Sequence, residues 1–192
     1  MRKVVVLFWM LIPLLSIDAF GQKNKLYTSL EEALAAPADS VYRLDLSKQK
    51  LDSLPQAVMT FKNLRELHLE KNRLTSLPDN FYFEDLRILD ISKNKLENFP
   101  EALCKVPSLR RLYISKNKID SLPDCIGNMS DLIELDAWFN PIDYLPESLT
   151  QLRNLRSLDL RGMNFTNEFQ QKWQEKLPWV KIEFDLGCDC GG

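Results

Sequence analysis

Histidine is almost missing from this sequence: His68 is the only one in 192 residues. A histidine-based metal centre or a His-dependent nucleophilic triad therefore has little to be built from. Six glycines exclude a collagen-like or glycine-rich low-complexity chain. Charge of one sign is lacking too. With 25 basic and 27 acidic side chains the net charge is −2, which gives no global pull toward nucleic acid or an anionic membrane. Four cysteines add little more material for a metal site. These shortages disfavour many enzymes before any motif is considered.

The N-terminus carries its own signal. Arg2 and Lys3 precede an apolar run of 12 residues, Val4 to Leu15, well short of the ~20 that span a bilayer. Ala19-Phe20-Gly21 then places small residues at both positions of a signal-peptidase site. The order predicts a secretory signal over 1–21, cleavage before Gln22, and a secreted or periplasmic, cell-envelope address with no membrane span afterwards. Only failure of this segment as a signal would leave the chain cytoplasmic.

From residue 41 onward the chain repeats. Leu64-x-x-Leu67-x-Leu69-x-x-Asn72-x-Leu74-x-x-Leu77-Pro78 returns as Leu86, Leu89, Ile91, Asn94, Leu96 and Phe99-Pro100. It returns again from Leu109 to Leu122-Pro123 and from Leu132 to Leu145-Pro146, with weaker copies starting at Val41 and Leu155. Successive starts are spaced 23, 22, 23, 23 and 23 residues. Each Leu-x-Leu has the period of a short strand, with both leucines on one side. Stacked coils bury what a single coil cannot, so the expected fold is an α/β solenoid with a parallel sheet, a leucine core and short helical or irregular arms. The asparagines stand where the chain leaves the strand, and their amides are suited to satisfying buried backbone groups.

Flanking segments read as caps. Thr28-Ser29-Leu30-Glu31 has a capping-box spacing, which predicts a helix over about 29–36 within an N-terminal cap of 22–40. The repeats occupy 41–163. Over 164–192, Phe169, Trp173 and Leu177 recur every four residues and Ile182-x-Phe184 repeats the strand spacing. A closing helix, a last strand and a cysteine-containing tail are expected there.

This pattern resembles the leucine-rich-repeat family, and within it the 23-residue Leu-Pro class of Ras-suppressor-like and scribble-like proteins, here as a small secreted bacterial-style member. The resemblance implies a curved solenoid with its sheet on the concave side, used as a non-enzymatic module that binds a protein or peptide. It implies no catalytic residue, cofactor or metal. A signal segment departs from the mostly intracellular eukaryotic members.

The register writes out the concave face. Between the two strand leucines stand Asp45, His68, Asp90, Tyr113, Asp136, Asp159 and Glu183, a largely acidic column. Two residues past the second leucine come Lys48, Lys71, Lys93 and Lys116, then Phe139 and Gly162. Arg65, Arg87, Arg110 and Arg156 recur on the far side. The acidic column argues against nucleic acid, and no aromatic platform interleaves the lysines. The fifth coil breaks the consensus with Trp138-Phe139-Asn140-Pro141. Trp138, Phe139 and Tyr113 form the best interface candidate, with Asp90, Asp136, Asp159, Lys93 and Lys116 around them. Two readings of Trp138 stay open: an exposed anchor, or packing over the space beside Ala137. Sugar stacking on the same aromatics, as in a carbohydrate-binding or surface-adhesion protein, is the alternative function. His68 is expected to be a solvated strand residue.

Cys104 and Cys125 are 21 residues apart, two short of the repeat. That offset predicts two small buried thiols rather than a disulfide. Cys188-Asp189-Cys190 supplies half a zinc site, so a thiol or metal role of the tail is a third, weaker reading. Partner identity and oligomeric state are not encoded in any motif.

Overall fold

A computed structural model describes residues 24–186. The predicted signal segment and the Cys188–Cys190 tail lie outside the described residues. Among the described residues, eight strands form one sheet in the order β1 to β8, every neighbouring pair parallel. They are β1 (Leu26–Tyr27), β2 (Arg43–Asp45), β3 (Glu66–His68), β4 (Ile88–Asp90), β5 (Arg111–Tyr113), β6 (Glu134–Asp136), β7 (Ser157–Asp159) and β8 (Lys181–Glu183). The register places Leu44, Leu67, Leu89, Leu112, Leu135, Leu158 and Ile182 in one row. All but Ile182 are fully buried, as are Leu46, Leu69, Ile91, Ile114, Ala137 and Leu160 two residues on. This is the leucine-rich-repeat solenoid the spacing predicts.

The return arms are mostly 3-10 turns. They run over Gln56–Thr60, Glu101–Lys105, Asp124–Asn128 and Glu147–Gln151, each entered through a proline. Proline presets φ and lacks the N–H that a first turn leaves unpaired. One apolar residue per arm (Val58, Leu103, Ile126, Leu149) is fully buried against the strand leucines. The second coil, shortest in the repeat, has no such turn. Phe81 and Phe83 fill its arm instead, ring edge to face at 5.1 Å.

The asparagines bind coil to coil. Asn117 Nδ2 donates to the carbonyls of Ile114 (2.8 Å), in its own coil, and Ile91 (3.0 Å), in the one before. Its Oδ1 accepts from the N–H of Leu96 at 3.1 Å. Asn72, Asn94 and Asn140 make the same three-way tie at their own junctions. At the ends the tie changes. Gln49 in the first coil donates to Thr28 O, and Gly162 N–H in the sixth donates to the Asp185 carboxylate.

Both ends carry short helices. Helix α1 (Leu30–Leu34) is capped by Ser29, whose hydroxyl accepts from Glu32 N–H, while the Glu32 carboxylate accepts from Thr28 N–H. The box is therefore one residue later than Thr28–Glu31, and the helix is shorter than 29–36. Strand β1 before it has no Leu-x-Leu signature. Helix α2 (Asn167–Lys176) is capped by Thr166 and buries Trp173.

The two thiols are a correction. Cys104 and Cys125 form a disulfide with Cα atoms 5.7 Å apart. In an extended arm a two-residue offset would add a strand-like ~7 Å. The arms are 3-10 turns, where two residues rise only ~4 Å and rotate about two-thirds of a turn. The fourth residue after Pro100 thus looks toward the next arm, and the second after Pro123 looks back. Gly127 and Ser148 hold the same two places one coil later. A Cβ built on Gly127 would come within 2.9 Å of Ser148 Cβ.

Two outcomes follow. Asn117→Ala orphans buried carbonyls and one N–H, and should lower unfolding free energy by about 3 kcal/mol; urea denaturation showing a loss under 0.5 kcal/mol would contradict the tie. Cys104→Ser with Cys125→Ser opens a 21-residue closure, with an expected loss of about 3 kcal/mol, matched by adding reductant to the parent protein.

Candidate functional site

The strands present their polar residues in columns, and the register sets Asp45, His68, Asp90, Tyr113, Asp136, Asp159 and Glu183 side by side. Four of the carboxylates also serve the backbone. Asp45, Asp90, Asp136 and Asp159 each accept from the N–H two residues on, that of Ser47, Ser92, Trp138 and Arg161. These Asx turns lead the chain into the left-handed residue that follows. One oxygen of each aspartate is thus structural, a role that strand periodicity alone does not reveal.

His68 is not a solvated strand residue. Its Nε2 lies 2.6 Å from Glu66 Oε1, and its Nδ1 is 4.0 Å from Asp90 Oδ2. Arg43 Nε closes the other side of Glu66 at 2.6 Å. Asp90 and, against burial, Glu66 lift the imidazole to about 9. Burial pushes the Asp90 carboxyl up, but His68 and Ser92 together hold it below its usual value. Arg43 above all, helped by His68, keeps Glu66 low despite burial. His68 is therefore a cation among acids, and its partners come from two residues earlier on β3 and from the neighbouring β4.

Tyr113, Glu134, Asp136, Asp159 and Glu183 line a pocket of about 210 Å³ over β5 to β8, floored by Leu135 and Ser157. Burial, then Glu134, pushes the Tyr113 hydroxyl up to about 12. Asp136 is also raised, by burial and by its acidic neighbours Asp159 and Asp90, although Trp138 N–H and Ser115 Oγ donate to it. Arg161 pairs with Asp159 and Glu183 at the C-terminal side. Glu134 belongs to this pocket and was missed by a column defined as the residue between leucines. It stands two residues earlier, on the same face.

Trp138 and Phe139 do not line that pocket. Lys48, Lys71, Lys93, Lys116, Phe139 and Gly162 all have φ between 53° and 82°. The repeat needs a left-handed residue there, which glycine adopts freely and a phenylalanine adopts at a cost on the order of 1 kcal/mol. Phe139 nevertheless occupies it with 61% of its surface exposed. Trp138 is half-buried, its ring edge toward Phe139 (centroids 6.1 Å apart) and Lys116 Nζ 4.3 Å above its face. Trp138 thus packs under Lys116, and Phe139 is the exposed anchor. Lys93 Nζ lies 2.6 Å from Glu70 Oε1, away from the aromatics. Tyr144, also exposed, lies further along the same coil.

A larger cleft of about 630 Å³ lies on the arm side, next to the Cys104–Cys125 bridge. It opens where the second coil lacks its 3-10 turn. No group of three or more His, Cys, Asp or Glu side chains among the described residues is arranged to hold a metal. Likewise, no described helix is long and apolar enough to cross a membrane.

The architecture is that of a leucine-rich-repeat solenoid. Residues 62–119 match the family model described as Leucine rich repeat. Among solved structures, a leucine-rich-repeat protein of Leptospira interrogans is similar, with 21% identity and a TM-score of 0.39. The match covers 82% of this chain and 57% of that one, so this chain spans little more than half its length. No curated protein matches the chain.

The His68 cluster gives a pH prediction. Its folded value, about 9, lies above the unfolded value near 6.5. The stabilisation is fully present below pH 6.5 and is lost as pH rises through 9. Denaturation midpoints should fall across that window, and His68→Gln should flatten the fall. NMR titration of this single imidazole near 6.5 would contradict the cluster.

Proposed function

We propose that this chain is a non-enzymatic binding module of the 23-residue Leu-Pro class, whose concave face engages a protein or peptide in the secreted or cell-envelope compartment. The single observation that carries it is Phe139. The repeat places lysine at the equivalent position in four coils. This coil keeps the same left-handed backbone but exposes an apolar ring there, beside a Trp138–Lys116 stack. Solvation alone favours a charged side chain at so exposed a position. Exposed aromatics rimmed by polar groups are the usual anchors of interfaces. The acidic pocket of Tyr113, Glu134, Asp136, Asp159 and Glu183 lies on the same face and gives a partner its orientation rather than its affinity.

The compartment follows from the predicted signal and is supported by the Cys104–Cys125 disulfide, a bond that persists in oxidising surroundings. A nucleic-acid partner would meet the acidic column first. No cofactor enters this reading.

Phe139→Lys restores the repeat's own residue, so the fold should be kept or slightly strengthened. Affinity for partners captured from the native envelope should drop about tenfold or more, the scale of a lost interface anchor. Trp138→Ala and Tyr113→Ala should weaken the same partners by less. If the three variants capture every partner with unchanged affinity, the concave-face reading fails. Binding confined to a glycan array would assign the aromatics to sugar stacking instead.

A further inference from the structure

Among the described residues, the open parallel sheet has two unpaired edges, β1 and β8. Such edges are either covered or used, because they present a row of free N–H and C=O groups. In β8, Lys181 N–H donates to Arg156 O and Glu183 O accepts from Leu160 N–H, each at 2.8 Å. Residues 181 and 183 therefore face β7 with their backbone groups, and alternation turns those of Ile182 outward. Ile182 and Phe184 are only partly buried, and Leu186 beyond them is fully exposed. Between this edge and Asn167, Gln170 and Gln174 of α2 lies an open groove of about 620 Å³. Nothing in the six coils before it leaves a strand so uncovered.

We propose that β8 is the interface of a two-fold homodimer, in which the β8 strands of two copies pair antiparallel with Ile182 opposite Ile182 of the second copy. The strand reads Lys181-Ile182-Glu183, and reversed on itself it is charge-complementary. Lys181 meets Glu183 of the second copy, and Glu183 meets its Lys181, at the 4.5–5.5 Å of directly opposed cross-strand pairs. Within one chain the same two side chains already pair at 2.5 Å, with Lys181 largely exposed and able to swing outward. The two Ile182 residues exchange N–H and C=O across the axis, and the groove beside α2 receives the apolar side chains of the second copy.

The other way of joining copies is head to tail, β8 against β1. Continuing the register would set Lys181 against Leu26 and Glu183 against Thr28. That arrangement matches no charge and has no closure, so it would grow into filaments. The two-fold arrangement closes after two copies. Its axis stands perpendicular to the sheet, so both concave faces point to the same side.

Sedimentation equilibrium of the full chain carrying Cys188→Ser and Cys190→Ser, which removes any tail cross-link, tests the pairing. Dimer is expected to accumulate with concentration between ~1 and several hundred μM, the range of a small interface. Lys181→Glu and Glu183→Lys each set like charges opposite one another twice per dimer, and each should weaken association about tenfold. The double exchange, K181E with E183K, should restore it. An equimolar mixture of the two single variants should form a heterodimer at least as tight as the parent. Monomer at every concentration, open-ended oligomers, or single variants that associate like the parent would each overturn the proposal. Circular dichroism of each variant separates lost pairing from lost folding.

Discussion

Everything in this solenoid depends on a side-chain amide that serves two coils at once. A coil of 22 or 23 residues cannot bury its own leucines, and its strand is only three residues long. The strand ladder alone ties neighbours at one edge of each coil. Asn72, Asn94, Asn117 and Asn140 add a second tie at the corner, inside the core, where carbonyls would otherwise face hydrocarbon. An amide is suited to this because it donates twice and accepts at once. A leucine there would leave several buried groups unpaired, whereas a serine would be too short to reach the preceding coil. The tight left-handed residue just before each asparagine sets its reach.

The same corner explains why the concave face carries so many acids. Asp45, Asp90, Asp136 and Asp159 hold the N–H that begins the turn, so part of the acidic column is set by the backbone rather than by a ligand. Function then has to be sought where the column departs from that duty. His68 and Tyr113 replace the aspartate and accept no such bond; carboxylates around it tune His68, and burial followed by Glu134 tunes Tyr113. Phe139 departs in the other direction, using a strained position to show an apolar ring. Departures of this kind are where a repeat protein stores what distinguishes one coil from the next.

Much of this was legible in the sequence, and the limits have physical causes. The strand register follows from Leu-x-Leu because a period of two admits no other face. The asparagine role follows because a polar residue recurring in four successive coils of a leucine core needs a partner. What periodicity does not encode is the conformation of the arms. Their 3-10 turns rotate Cys104 toward Cys125, and linear offset misjudged that distance. Nor does it encode lateral pairing between side chains of different columns. Glu66 and Glu134 lie two residues ahead of the column yet complete the sites of His68 and Tyr113. Strand β1 has no leucine pattern, so the repeat spacing does not announce it. Trp138 illustrates the remaining ambiguity: the sequence left it open between exposed anchor and packed ring, and only Lys116 lying across its face shows why Phe139 is the ring left open.

The position of the disulfide gives the molecule a middle. In a stack where each coil touches only its neighbours, opening normally begins at the two ends and runs inward one coil at a time. The bridge joins the third and fourth coils and encloses β5, leaving three strands before β4 and three after β5. Fraying from either end therefore meets a unit that cannot separate without breaking a covalent bond. Amide exchange should be slowest across β4 and β5 and faster toward both termini. The N-terminal and C-terminal arms of the solenoid thus behave as two independently breathing flanks hinged on a locked centre.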